Sequence, residues 1–276
     1  MLFTLAAVLL GWAGWRWRQE RSEQPAIAWV KRAGGDVSDR ALFSGRIWEV
    51  NLNGATMVND LSPLVQLEGL RELDISFTHV EDISPLTELD DVEVLNLSST
   101  PVSDLSSLAK LQNLKELYAP DTNVIDVSPL ADLKTLEELD LSETPVIDLS
   151  PLAGLTNLQG LDLYKTLVND LSPLAELKNL KFLRLWETPV NDLSALTELR
   201  SLVELDLSNT EVTDLSALAK LGQLEKLTLC AMRVSDLSPL AALKNLRTLE
   251  IYNTPVSDEQ VQILTRELPN CMILLR

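Results

Sequence analysis

Apolar residues recur along most of the chain at a fixed spacing of 22 residues. Each copy reads Leu-x-x-Leu-x-Leu-x-x-Thr-x-Val, for example Leu180, Leu183, Leu185, Thr188 and Val190. Apolar and polar positions alternate in the Leu-x-Leu part, which predicts a short strand with one buried face. Because all copies run in the same direction, their strands are predicted to pair in parallel, with a crossover on the opposite side. The spacing therefore indicates a repeat array.

A second recurring segment, Asp-Leu-Ser-Pro-Leu-Ala-x-Leu, supplies the crossover. Ser is expected as the N-cap and Pro at the first helical position of a 3₁₀ turn or a very short α-helix. The Asp of this segment recurs at Asp60, Asp82, Asp104, Asp126, Asp148, Asp170, Asp192, Asp214, Asp236 and Asp258. A metal-binding ladder is one interpretation of these carboxylates. Capping of the turn is preferred, because each Asp precedes a turn whose N–H groups it can accept.

Both ends of the array depart from the pattern, as capping segments do. Residues after Pro25 predict a helix that ends at Gly34 and carries an apolar stripe at Ala26, Trp29, Val30 and Ala33. We expect this helix to cover the first coil, and a continuous juxtamembrane stalk is the alternative. Residues 257–276 predict a longer helix followed by a closing strand, in which Cys271 is a small core residue.

Residues 1–15 carry no charged side chain and are followed by Arg16, Trp17 and Arg18. A helix of this length spans about 22 Å, against ~30 Å for the hydrocarbon core, and tryptophan suits the interface. We therefore expect residues 1–18 to be a transmembrane or signal-anchor helix, with a cleaved signal peptide or a soluble start as alternatives. Basic residues after this helix place a single-pass protein's array on the cytoplasmic side, and basic residues upstream would reverse that orientation.

The predicted organisation thus has three parts. Residues 1–18 form the anchor, residues 19–40 form a juxtamembrane segment with the N-terminal capping helix, and residues 41–276 form the repeat domain with a C-terminal cap at about 257–276.

The two recurring segments together resemble the leucine-rich repeat family, and most closely the 22-residue class of bacterial internalins and protein phosphatase regulatory subunits. The resemblance implies an α/β solenoid, or horseshoe, with a parallel concave β-sheet and short 3₁₀ or α turns on the convex side. Thr stands where the family usually has Asn, and its hydroxyl is expected to bond loop backbone, though less fully than an amide. One copy has Met232 instead. The loop of that copy is expected to be weaker. In the family, ligands usually bind the concave face.

Strand positions that alternate with the buried leucines point to the concave face. Near the middle of the array, four large side chains occupy such positions, and core packing does not require them there. Tyr, Trp and Arg are the residues that concentrate binding energy at interfaces. The predicted protein-binding patch comprises Tyr118, Asp140, Asp162, Tyr164, Phe182, Arg184 and Trp186. Packing of these side chains on each other across strands is the alternative.

The chain has a net charge of −18, and because its first 40 residues are slightly basic, the array alone carries −20. This charge argues against a nucleic-acid partner and permits a basic protein partner. The two cysteines are predicted two coils apart, about 10 Å, so we expect free thiols. His79 is the single histidine and is expected to be exposed in a loop.

No metal-ligand spacing, phosphate-binding glycine loop or Ser/His/Asp set is present in the sequence. We therefore expect no cofactor, no metal, no small-molecule substrate and no catalytic activity. The sequence predicts a membrane-anchored, non-catalytic protein–protein interaction module that binds through the concave face. One alternative is a regulatory subunit that docks on an enzyme such as a phosphatase, by analogy of fold. Another is a structural cell-envelope protein without a specific ligand.

Overall fold

A computed structural model describes residues 23–38 and 47–275 of the chain. These residues form a solenoid in which each coil adds one short strand to a 12-stranded sheet, and the strands follow chain order. The strands are β1 (Asp36–Ser38), β2 (Glu49–Asn51), β3 (Glu72–Asp74), β4 (Val94–Asn96), β5 (Glu116–Tyr118), β6 (Glu138–Asp140), β7 (Gly160–Asp162), β8 (Phe182–Arg184), β9 (Glu204–Asp206), β10 (Lys226–Thr228), β11 (Thr248–Glu250) and β12 (Met272–Leu274). The predicted leucine-rich repeat solenoid is confirmed.

From β2 to β12 every pair of neighbouring strands is parallel, and equivalent repeat positions face each other, as Leu161 faces Leu183. Strand β1 is the exception, because it pairs antiparallel with β2. It lies outside the repeat, and the prediction of parallel strands did not include it. Gly35 precedes β1, where an added Cβ would lie 2.5 Å from the Asn51 carbonyl oxygen. Glycine allows this close approach.

In the described part of the chain, the convex side carries nine 3₁₀ turns, each starting at the Ser of the second recurring segment. They are Ser62–Gln66, Ser84–Glu88, Ser106–Lys110, Ser128–Leu130, Ser150–Gly154, Ser172–Leu174, Ser194–Glu198, Ser216–Lys220 and Ser238–Ala242. In every turn the Ser backbone N–H donates to the Asp two residues earlier at 2.8 Å. The expectation that Ser is the N-cap is therefore wrong, because the preceding Asp accepts the bond and Ser is the first residue of the turn.

Repeat leucines and valines fill the interior, and full burial of each such side chain contributes roughly 1.5–3 kcal/mol. Leu183, for example, is 1% exposed and Val190 is fully buried. Seven of the repeat threonines are also buried, and their hydroxyls donate at 2.5–2.9 Å to the carbonyl three residues earlier. These threonines are Thr78, Thr100, Thr122, Thr144, Thr166, Thr188 and Thr210. The predicted bonds between threonine and loop backbone are confirmed.

The coil with Met232 obtains the missing bond from its neighbour. The Thr254 hydroxyl of the next coil donates to the Leu229 carbonyl at 2.6 Å and accepts the Met232 N–H at 3.3 Å. The Leu229 carbonyl, which a Thr at position 232 would have bonded, therefore has a partner. The expected weakening of this loop by an unpaired carbonyl does not arise.

One residue after each strand from β3 to β11 has a left-handed backbone, with φ between 52° and 57°, although none of these nine residues is glycine. They are Phe77, Ser99, Asp121, Glu143, Lys165, Glu187, Asn209, Ala231 and Asn253. The N–H groups of the first eight donate to carbonyls of the following coil at 2.6–3.0 Å. A non-glycine residue in this conformation costs roughly 1–2 kcal/mol, so contacts between coils hold it there.

Asparagine side chains join coils on the segment that leads into the strands. Their Nδ2 groups donate to carbonyls of the preceding coil at 2.7–2.9 Å, at Asn113, Asn157, Asn179 and Asn245. Each of these bonds links sequentially adjacent coils in register.

Helix α1 spans residues 23–32 and covers the first coil. Ala26 and Val30 are fully buried, and Trp29 and Ala33 pack against the core at its edge. The predicted N-terminal capping helix is therefore present.

Helix α2 (Asp258–Glu267) covers the last coils, and the Ser257 side chain accepts the Gln260 N–H at 3.2 Å. After it, Cys271 packs partly buried against the core, and burial raises the pKa of its thiol. Cys230 and Cys271 are both free thiols, as predicted.

Within residues 23–38 and 47–275, no helix combines the length and apolar character needed to cross a membrane. The predicted anchor at residues 1–18 and its basic flank lie outside the described residues.

Candidate functional site

The concave face presents the two strand positions on either side of each buried leucine. In β8, Leu183 points inward while Phe182 and Arg184 are exposed. The next outward position, two residues further, carries Tyr164 after β7 and Trp186 after β8. Parallel pairing in register places equivalent residues of consecutive coils side by side.

Tyr164 and Trp186 form a stacked pair with ring centroids 4.5 Å apart and an angle of 25° between the rings. We call this pair the aromatic plate. Trp186 remains 42% exposed despite the stacking. The backbone of each plate residue is held by the preceding coil. The Lys165 N–H donates to the Trp186 carbonyl at 2.8 Å, and the Glu143 N–H donates to the Tyr164 carbonyl at 2.7 Å. The plate is a rigid, partly exposed apolar surface.

Beside the plate lies a shallow depression of about 250 Å³, which we call the central depression. It extends across β5 to β10, and its outward-facing lining residues are Tyr118, Glu138, Asp140, Gly160, Asp162, Phe182, Arg184, Glu204, Asp206, Lys226 and Thr228. Tyr164 and Trp186 are not among its lining residues. The concave site thus has two adjacent parts, one aromatic and one mainly acidic.

Gly160 opens the centre of the depression, since the equivalent positions in β6, β8 and β9 carry Glu138, Phe182 and Glu204. The Glu138 side chain leans across this gap, and its Oε2 lies 1.7 Å from the place where a Cβ on Gly160 would stand. Any side chain at position 160 would displace the Glu138 carboxylate. Glycine is therefore a determinant of the shape of the site.

Acidic groups outnumber basic groups in the depression. Arg184 forms an ion pair with Asp162 at 3.0 Å, and Lys226 lies 3.8 Å from Glu250 outside the depression. Within residues 23–38 and 47–275, four lining carboxylates have no salt-bridge partner: Glu138, Asp140, Glu204 and Asp206.

Two of these carboxylates are held in unfavourable surroundings when charged. Burial and then the charge of Glu116 raise the pKa of Glu138. Burial raises the pKa of Asp140, with a smaller rise from Asp162, while its hydrogen bonds to Ser142 oppose the shift. From the repeat pattern alone, nothing distinguished this pair of carboxylates. The structure places both in the depression with raised pKa values.

The predicted acidic residues also have a structural role. Asp140 Oδ1 accepts the Ser142 N–H at 2.8 Å, and Asp162 Oδ1 accepts the Tyr164 N–H at 2.9 Å. Asp74 makes the same contact with Ser76. Part of the acidic pattern is therefore explained by turn formation after the strand.

The structure brings the predicted patch together in two groups. Tyr164 with Trp186, and Arg184 with Asp162, are direct pairs. Phe182 lines the depression, and no ring stacking of Phe182 occurs among the described aromatic residues. Tyr118 lies at the far end, where its hydroxyl donates to Glu116 at 2.8 Å and its pKa is raised, mainly by burial.

Sequence reasoning missed the contributions of Gly160, Glu204, Asp206 and Lys226 to this site. The interruption of an otherwise bulky row by one glycine was the signal that could have identified the depression.

No group of His, Cys, Asp and Glu in the described part of the chain is arranged to hold a metal ion. His79 is an exposed loop residue whose Nδ1 lies 2.8 Å from the Thr56 carbonyl oxygen.

Comparison with known proteins places this geometry in context. Residues 134–176 and 178–220 match the family described as Leucine Rich repeats (2 copies). Internalin C2 from Listeria monocytogenes is 34% identical, with 68% of this chain and 82% of that protein covered and a TM-score of 0.62. An internalin (inlF) from the same organism is 24% identical, with coverages of 91% and 87% and a TM-score of 0.64. No curated protein matches the sequence.

The fold extends to a plant protein. The ectodomain of the Arabidopsis thaliana membrane receptor kinase GASSHO1/SCHENGEN3, in complex with Casparian strip integrity factor 2, has a TM-score of 0.70 at 21% identity. The match covers 87% of this chain and 31% of that ectodomain. At this identity the similarity concerns the fold.

Proposed function

Because the chain belongs to the leucine-rich repeat family and is similar to bacterial internalins, we propose that it binds a protein partner through its concave face. Proteins of this family are protein–protein interaction modules, and internalin-like members are typically non-enzymatic. The plant ectodomain of the same fold is in complex with another factor. The observation that carries the proposal is the aromatic plate, a rigid and partly exposed apolar surface on the concave sheet.

The proposed binding mode uses the plate as the energetic centre and the acidic surround for orientation. Aromatic side chains held in place lose little conformational freedom on binding, and Trp and Tyr are frequent hot-spot residues. The net charge of the array favours encounter with a basic partner over an acidic one. We propose a non-catalytic module, with no cofactor in the binding step.

Panning a random twelve-residue peptide library displayed on phage against the full chain tests this proposal. Selected peptides should lose roughly tenfold or more in affinity for a Tyr164→Ala/Trp186→Ala double variant, because removal of a hot-spot pair costs more than 1 kcal/mol. Phe77→Ala is the matched control, since Phe77 is an aromatic side chain that is 57% exposed away from the plate. Equal binding by wild type and the double variant would contradict the proposal.

Membrane attachment through residues 1–18 is a separate proposal. It is supported by the uncharged run of residues 1–15 and the tryptophans and arginines that follow it. The full chain should fractionate with membranes, and a chain that starts at residue 19 should not. Protease treatment of intact and permeabilised cells then reports the side of the array, which the basic flank predicts to be cytoplasmic. Recovery of the full chain without membranes would contradict the attachment.

A further inference from the structure

We infer that the central depression receives one basic side chain of the partner, a Lys or Arg, while a second partner residue rests on the aromatic plate. The inference rests on the proposed function and adds the chemistry that the site selects. It commits to an extended protein segment in which a basic residue and an apolar residue are two or four positions apart, on the same face of the segment.

The spacing follows from the sheet. Along the chain, the plate begins at Tyr164, four residues after Gly160 at the centre of the depression and two residues after Asp162 at its edge. Alternate residues of an extended segment lie on one face, about 7 Å apart. A segment that runs along the strands can therefore place one side chain in the depression and the next side chain of the same face, or the one after it, on the plate.

Gly160 provides the space for the incoming side chain. The missing side chain leaves room that the flexible Glu138 carboxylate now occupies from the neighbouring coil. Glu138 has no salt-bridge partner among the described residues, so a rotation of its side chain breaks no ion pair. An incoming cation can meet the carboxylate without displacing another basic group.

The ion pairs within the depression indicate which charge the partner residue should carry. Arg184 is satisfied by Asp162, whereas Glu138, Asp140, Glu204 and Asp206 lack such partners. The raised pKa values of Glu138 and Asp140 have the same cause, since crowded and partly buried carboxylates disfavour the charged form. A basic side chain would relieve this repulsion, and an acidic one would add to it. Charge complementarity therefore favours a cationic residue.

A double-mutant cycle tests the inference. Peptides selected by the wild-type chain from the twelve-residue library should carry Lys or Arg two or four positions from an aromatic or aliphatic residue. For a selected peptide, replacement of Lys by norleucine, or of Arg by citrulline, should lower affinity roughly tenfold for wild type. The same replacement should change affinity clearly less for Glu138→Gln/Asp140→Asn, because two of the four unpaired carboxylates that it would lose are already absent. Fluorescence anisotropy measures the four affinities.

Asp74→Asn is the matched control for the aspartate, because Asp74 makes the same bond to a Ser two residues later but lies outside the depression. Gly160→Ala is a second test that keeps every charge. It forces the Glu138 carboxylate away and should weaken the basic peptide more than its neutral counterpart. This variant decides the question if the double variant does not fold.

The outcomes separate the two proposals. Peptides that depend on Trp186 but contain no preferred basic residue, or that lose equal affinity in wild type and Glu138→Gln/Asp140→Asn, would overturn the inference and leave the proposed function standing. Selected peptides that do not depend on Trp186 would overturn the proposed function itself.

Discussion

The convex turns and the concave sheet belong to the same coils but obey different rules. On the convex side, nine turns repeat one bond, from the Ser N–H to the Asp carboxylate, at 2.8 Å each time. On the concave side, consecutive coils carry Glu138, Gly160 and Phe182 at one equivalent position. The turns repeat because each one solves the same local problem of unpaired backbone groups. The sheet positions face solvent, so packing leaves them free to differ.

This contrast gives a way to separate scaffold from site in a repeat protein. A residue shared by all coils is explained by the coil itself. A residue that departs from its row either is compensated by a neighbour, as at Met232, or has no local explanation, as at Trp186. The second kind is where binding is expected.

The largest expected effect separates two adjacent residues of β8. Leu183→Ala should cost about 2–5 kcal/mol, because it opens a cavity in the core. Phe182→Ala should cost under about 0.5 kcal/mol, since Phe182 is 42% exposed, yet it should weaken binding. Urea denaturation and peptide binding on both variants measure the two effects. A stability loss at Phe182 equal to that at Leu183 would contradict the division between face and core.

The next effect concerns Thr254, whose hydroxyl supplies the bond that the coil with Met232 lacks. Thr254→Val should cost about 1–3 kcal/mol, because the Leu229 carbonyl and the Met232 N–H lose their shared partner. Met232→Thr in the same background should recover stability, since a Thr at 232 can bond the Leu229 carbonyl as other coils do. Chemical denaturation of the single and double variants measures their free energies of unfolding. If the double variant is no more stable than Thr254→Val, Thr254 does not compensate for Met232.

A smaller effect should be stabilising. The buried Ser107 hydroxyl has no hydrogen-bond partner among the described residues, and it stands where most coils have Pro. Ser107→Ala should raise the free energy of unfolding by about 1 kcal/mol, because an unpaired polar group is removed from the interior. Ala195→Ser places a hydroxyl at the equivalent position and should have the opposite sign. Thermal melts of both variants show whether the turns tolerate a polar group there.

The smallest effect is acid sensitivity of the turns. Hydrogen bonds from Ser lower the pKa of Asp60, Asp82, Asp104, Asp148, Asp170 and Asp236. Their contribution is present above the unfolded pKa of about 3.9 and is lost as pH falls through the lower folded values.

Glu138 and Asp140 act in the opposite sense, since their raised pKa values make the charged form unfavourable in the fold. Stability should therefore hold or rise slightly towards pH 4 and fall below it. Asp170→Asn keeps an acceptor oxygen without the charge and should lose less of its melting temperature between pH 4 and pH 2 than wild type. An equal fall in both proteins would assign the acid sensitivity to other groups.

Most of the scaffold was predictable from the sequence because it repeats. The strand positions, the Asp contacts to the turns, the Thr bonds and both caps follow from local patterns with known physical causes. Strand β1 was not predictable, since three residues outside the repeat carry no periodicity. The bond from Thr254 to Leu229 was not predictable either, because it joins two coils and replaces a bond expected within a single coil.

The site was predictable only in composition. Rows of equivalent positions placed Tyr164 beside Trp186 and Arg184 beside Asp162, and both pairs are in contact. The depression was not predicted, because it depends on a missing side chain at Gly160 and on the rotamer of Glu138. The direction of a side chain across a gap is set by its neighbours in three dimensions, and the sequence alone does not show those neighbours.

The left-handed residues after strands β3 to β11 bear on how the chain folds. A single coil would have to hold an unfavourable backbone conformation without the carbonyl of the following coil that its N–H bonds in the array. An isolated coil is therefore not a stable unit, and neighbouring coils must form together. Fragments of one or two coils should remain unfolded in solution, and folding should become cooperative only once several coils are joined. The array consequently has a minimum length, and its middle coils, which carry the aromatic plate, have neighbours on both sides.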